Sequence, residues 1–260
     1  MDKLIILNFI LIAIITGALF LFKKFVKTNK QKYIALLFAA IATILCHYSS
    51  LPYHYFTDNT AMDYLRDNPN LVLPIYPCNV VMWSSLIIGI AKNKESKFIK
   101  FLIDYVFWFG TISSLVGMFA NVDFIRNPNL LDFDITKGIL SHSLLLFNAT
   151  LLPMLGFIKV RLENNLKHIL YSIIMMFVIG LYCNLLIATL VSNEFANHVN
   201  SMFILHSPFE AVPFLVYPFI AVVAFVLYFG VFATCEIFIY KKEDRWYKRI
   251  FHQTNKQNTE

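Results

Sequence analysis

The chain has 260 residues, of which 58% are hydrophobic and only 15% charged, with a formal net charge of +6. Soluble globular domains average about 45–50% apolar and about 25% charged residues, so this balance excludes an ordinary water-soluble domain. The apolar residues fall in long blocks, which makes the chain an integral membrane protein.

Seven blocks follow one another, at roughly 4–22, 33–51, 71–91, 98–120, 135–158, 167–191 and 213–239, each near the ~20 residues that cross a bilayer core. The first is too long for the ~7–15-residue core of a signal peptide. Its lysines come after the apolar run and it lacks a small-residue cleavage pattern, so it is read as a retained helix. No block shows the alternation of a membrane β-strand, so the spans are helices that satisfy their own backbone groups in lipid. No internal repeat is visible. The expected fold is all-α: one seven-helix transmembrane domain over 1–240 and a polar basic tail over 241–260.

Basic residues set the orientation. Lys23, Lys24, Lys27, Lys30 and Lys32 follow the first block, and Lys92, Lys94, Lys97 and Lys100 follow the third. Lys159, Arg161 and Lys167 follow the fifth, and the tail adds Lys241, Lys242, Arg245, Lys248, Arg249 and Lys256. Thus 18 of 22 basic residues collect on one side, while Lys3, Arg66, Arg126 and Lys137 remain opposite. Nine acids lie on that second side, among them Asp58, Asp123, Asp134 and Glu210. The positive-inside rule places the amino terminus outside and the tail in the cytoplasm. The positive charge then reflects topology and attraction to anionic lipid heads, not nucleic-acid binding.

The third block carries the oddest stretch, LPIYPCNVVMW at 73–83, where Pro74 and Pro77 precede Cys78 and Asn79. Proline suits the first turn of a helix and breaks its interior. A helix starting at Pro77 would rise only about 22 Å by 91, leaving 71–76 irregular at membrane depth. Such backbone is tolerated only against protein or a watery cavity. Cys78 would then sit beside unpaired amides, which activate a thiol; the competing reading is an inert small residue beside a kink.

The fifth block holds His142, the one histidine well inside a span, seven residues or about 10 Å from its outer end. Cys78 and Asn184 in the sixth block come at a similar depth. Intramembrane ionisable residues usually face a bundle interior, a cavity or a partner. His47 lies near the outer end of the second block, and His54, His198 and His206 lie in outer loops. Asp104 and Glu236, nearer the cytoplasmic ends, are read as paired or snorkelling. The four cysteines, Cys46, Cys78, Cys183 and Cys235, all lie within spans, with no C-x-x-C pair, so neither a disulfide framework nor a metal site is expected.

LPIYPCNVVMW resembles the LPLHLC signature of the YwaF-type bacterial integral membrane proteins. Their eukaryotic relatives include a transmembrane ether-phospholipid acyltransferase of the TMEM class. The histidine of LSHSLLLFN matches the family's fifth-helix histidine, and ANHVNSMFILHSP with FLVYPF resembles the loop before its last helix. The resemblance implies acyl chemistry with Cys78 as nucleophile and His142 as base, in contact directly or through one water. It departs at Tyr76 and Pro77, which stand where the signature has histidine and leucine.

The expected function is therefore a lipid acyltransferase or lipid-ester hydrolase working through a thioester, with membrane lipids as substrate and no cofactor. Asn79, Asn184 and Asn200 are candidate orienting or substrate-binding amides, or else interhelical contacts. The alternative is a non-enzymatic transporter or ligand sensor built on the same broken helix. The expected location is the bacterial cytoplasmic membrane.

Overall fold

The computed structural model describes residues 2–121, 124, 128–159, 162–208 and 212–249. Asp123, Arg126, Arg161, Glu210, Lys256 and the Cys235 side chain lie outside them. Among the described residues every regular element is helical. The long helices are α1 (Asp2–Phe25), α2 (Asn29–Tyr48), α5 (Pro77–Ile90), α6 (Lys97–Phe119), α7 (Phe133–Met154), α8 (Leu162–Leu190) and α10 (Phe219–Ile239). The short ones are α3 (Ser50–Thr57) and α4 (Ala61–Asp67) between α2 and α5, and α9 (Asn193–Val199) after α8.

Five stretches are long and apolar enough to cross a membrane: Lys3–Phe25, Asn29–Thr57, Lys97–Phe119, Phe133–Met154 and Leu166–Leu190. Two further apolar helices are shorter, Pro77–Ile90 and Phe219–Gly230. Both begin at prolines that the hydropathy pattern runs straight through. The third block starts its helix only at Pro77, and the seventh only after Pro218. The chain is a multi-pass membrane protein. Apolar side chains such as Phe9, Phe20, Phe38 and Leu185 remain exposed, as a lipid-facing surface requires.

α6 is the central post. Tyr105, Val106, Trp108 and Met118 are almost wholly buried, packed by α5 on one side and α7 on the other. Gly110 lets the three helices close together: a Cβ there would meet Val81 and Ala149 at 3.1 Å each. α2 runs antiparallel to α7, and Asn148 of α7 ties them by donating to Thr43 Oγ1 at 2.7 Å and to the Ala39 carbonyl at 3.2 Å. α1 covers the α6–α7 side, where Asn8 donates to the Met118 carbonyl at 2.6 Å.

The start of α2, the α5–α6 connection and Phe157 just after α7 meet at one end of the bundle, where the Tyr33 and Phe157 rings lie 5.9 Å apart. There Lys94 reaches back to carbonyls at the close of α5, including Gly89 at 3.1 Å, and lies 4.8 Å over the Tyr33 ring. Asp104 is hydrogen-bonded to His168, and Glu236 pairs with Arg249 at 2.9 Å, so both acids are paired as the sequence implies.

Replacing Asn148 with leucine should cost about 0.5–2 kcal/mol, because interhelical hydrogen bonds in membranes are worth about that much and Thr43 loses its donor. Thermal unfolding in detergent measures it. An unchanged melting temperature would show that the α2–α7 contact rests on apolar packing alone.

Candidate active site

Pro77 starts α5 because its missing N–H is no loss in a first helical turn. Asn79 fixes the start from both sides: its Oδ1 accepts from the Tyr76 amide at 3.1 Å and its Nδ2 donates to the Asn70 carbonyl at 3.3 Å. Cys78 is half-buried in that first turn, where the Asn79 amide is taken by the Tyr76 carbonyl at 3.0 Å and the Cys78 amide has no residue of the helix to bond. A first-turn amide beside a sulfur is the kind of donor that steadies developing negative charge.

The irregular run before α5 is received by protein. The Ile75 carbonyl accepts from Met202 N and Ser201 Oγ, both at 2.9 Å. Asn184 of α8 holds the same loop, accepting from Ser201 N at 2.8 Å and donating to its carbonyl at 3.1 Å. Asn200 folds the following turn by donating to the His206 carbonyl at 2.8 Å and accepting from Leu205 N at 3.0 Å. These amides act on backbone: each shapes a wall of the cavity below without lining it. Within the loop Asn200, Met202 and Phe203 have φ of 47°, 55° and 56°. For Met and Phe that left-handed conformation costs on the order of 1–3 kcal/mol each, which the clamp offsets.

His142 sits on α7 with its ring flat against Gly117 of α6; a Cβ at 117 would lie 2.3 Å from ring atoms. Its Nδ1 is buried with no hydrogen-bond partner. Val81, Gly110 and Ala149 share one level, and from it Cys78 lies three residues, and His142 seven, toward the same end. At ~1.5 Å per residue the two are staggered along the bundle by about 6 Å. No hydrogen bond joins them.

Both open into one cavity of about 420 Å³. α6 and the residues just after it line it along a stripe from Phe109 through Ser113 and Gly117 to Asn121, and the turn before α10 and its first half line it from Tyr217 through Ala221 to Phe225. Phe109 and Phe225, the innermost residue of each stripe, meet edge to face at 4.7 Å and close the inner end. Tyr76, Met202 and Phe203 form the wall from the clamped loop. The size and the mostly apolar lining with a few convergent polar groups suit a lipid-like ligand. α6 and α10 meet through rings, including Trp108 with Tyr228 and Phe229, rather than through close backbone packing.

The TMEM164 family profile matches residues 2–252. The chain belongs to the TMEM164 family. No curated protein and no solved structure matches it at a significant level. In this TMEM164-family chain the cavity therefore brings together Cys78 and His142 out of the sequence candidates, while Asn79, Asn184 and Asn200 stand behind its walls. Among the described residues no cluster of three metal-ligating side chains occurs.

Sequence reasoning missed a second polar group at the same end. Asp134, in the first turn of α7, accepts from Ser50 Oγ at 3.0 Å and Tyr64 OH at 2.8 Å, and is paired with His54 Nε2 at 2.9 Å. Burial pushes the Tyr64 phenol up to about 12, so it stays a donor. The three partners come from positions 50 to 64, some seventy to eighty residues away in the chain, and no local pattern marks them.

Gly117→Ala should destabilise the protein by roughly 1–3 kcal/mol, the usual cost of overpacking. Gly117→Ala combined with His142→Ala should recover most of that loss, because the ring that clashes is gone. A double-mutant cycle of melting temperatures in detergent tests it, and additive losses would place the His142 ring elsewhere.

Proposed function

We propose that the chain is a membrane-embedded lipid acyltransferase, or a lipid-ester hydrolase if water is the acceptor, with Cys78 as nucleophile and His142 as base. The observation that carries this reading is that one thiol and one imidazole open into the same apolar, lipid-sized cavity. The family match and the LPIYPCNVVMW motif support it.

His142 takes the proton of the Cys78 thiol, directly or through one water or substrate hydroxyl in the stagger of about 6 Å. The thiolate attacks the ester carbonyl of an acyl donor. The tetrahedral oxyanion is met by the Cys78 amide at the positive end of α5. The ester C–O bond breaks, and the lysolipid leaves with the proton from His142, giving a thioester. An acceptor hydroxyl, or water, then gives its proton to His142 and attacks the thioester; the sulfur leaves and is reprotonated. Apo sites are commonly looser than the reacting complex, so the stagger suits a carbonyl entering between the two groups.

With this reading goes a seven-span topology in which α5 and α10 complete their crossings with the clamped loops, in a bacterial cytoplasmic membrane. The 18-to-4 split of basic residues supports an external amino terminus and a cytoplasmic tail. A carboxyl-terminal reporter should therefore be active in the cytoplasm; activity only in the external compartment would overturn the orientation.

A lipid-like thiol-reactive probe should label Cys78 well ahead of Cys46, Cys183 and Cys235 in folded protein, and His142→Ala should slow that labelling. Acyl exchange among phospholipids, followed by lipidomics, should disappear with Cys78→Ala and nearly so with Cys78→Ser, a weaker nucleophile. Equal labelling of all four thiols, with lipid composition unmoved by Cys78→Ala, would favour a transporter or sensor that uses the same cavity for binding.

A further inference from the structure

We propose that His47 is the positioning residue for His142: the two imidazoles pair, directly or through one water, and fix the His142 proton on Nδ1. Nε2 is then left as the basic nitrogen facing the cavity. The catalytic meaning of this pairing rests on the acyl-transfer reading, but its geometry does not.

The register of α2 against α7 puts the two residues together. Asn148 donates to Thr43 Oγ1 at 2.7 Å and Ser141 Oγ to Cys46 Sγ at 3.4 Å, on helices running in opposite directions. Four steps from the first rung set position 47 opposite 144, and one step from the second sets it opposite 140. His142 is midway. The His142 ring feels both His47 and Lys137 electrostatically, which agrees with that placement.

The hydrogen-bond accounts of the two rings are complementary. His47 Nε2 and His142 Nδ1 are both buried, and neither has a partner. Leaving one such nitrogen unsatisfied is costly, and two neutral imidazoles relieve it together if one donates and the other accepts. The Tyr48 hydroxyl donates to the Leu71 carbonyl at 2.7 Å, so the end of α2 lies against the 70–71 turn, and the other nitrogen of His47 faces the Asn70 carbonyl there, an acceptor only. His47 therefore carries its proton there and offers a lone pair at Nε2, and His142 supplies the matching N–H from Nδ1. The same Asn70 carbonyl takes the Asn79 amide beside Cys78 at 3.3 Å. The 70–71 turn thus lies against both the nucleophile's helix start and the helix end that carries His47. This is the role of the third group in nucleophile–base–orienter arrangements, which sets the tautomer without touching substrate.

Nitrogen NMR of ¹⁵N-histidine-labelled protein in detergent reads the tautomer without any substrate, with His142→Gln assigning the signal. The expected result is a His142 proton on Nδ1 in the unaltered protein, lost to a mixture in His47→Leu and retained in His47→Gln, whose amide oxygen can still accept. Labelling of Cys78 should slow about tenfold or more in His47→Leu and change by no more than about threefold in His47→Gln, a part of the ~10²–10⁴ that a base supplies. A proton on Nε2 in the unaltered protein, or a tautomer indifferent to His47→Leu, overturns the proposal; the first measurement decides even if His47→Leu fails to fold. A tautomer that shifts as expected, with Cys78 labelling the same in every variant, keeps the imidazole pair and removes the Cys78–His142 chemistry instead.

Discussion

The backbone of Leu73–Tyr76 has left the helix in a chain whose surroundings are lipid, and the carbonyl of Ile75 must still find donors. Hydrocarbon offers none, so the protein brings them: an amide and a hydroxyl from the loop at 201–202. That obligation explains why α9 and the turn after it fold back onto α5, and why Asn184 is spent on Ser201. It also accounts for Gly180, where a Cβ would strike Met202 at 2.7 Å. The cavity is what remains beside this plug once the irregular run and the strained loop have satisfied each other.

Much of this was legible in the sequence, for local reasons. Proline at 77 announces a first turn because it lacks the N–H a helix interior needs. Asp104 and Glu236 read as paired because an isolated carboxylate in a bilayer is too costly. The remainder was not legible, because it depends on partners far apart in the chain. Asp134 looks like any first-turn acid until Ser50, His54 and Tyr64 gather round it. Asn184 looks like a candidate for chemistry until Ser201 occupies both of its polar atoms. Hydropathy also overruns the starts of α5 and α10, because leucine, valine and phenylalanine are equally apolar in a helix and in a buried turn.

The two polar groupings at this end of the bundle differ in kind. Around Asp134 the donors and acceptors are matched, and the cluster ties α3 and α4 down over α7. Around His142 they are unmatched, with a ring nitrogen left over on each of two neighbouring helices. Matched networks rigidify, and unmatched buried groups in a native protein call for an explanation in function.

The glycine under the His142 ring gives this chain a direction in sequence space. Only a residue without a side chain lets the imidazole lie against α6, so any larger residue at 117 can be accommodated only after the histidine has gone. Once that has happened, restoring histidine alone no longer restores the arrangement, since the space it occupied is filled. A lineage that loses the base by this route needs two simultaneous changes to regain it, which makes the loss a ratchet.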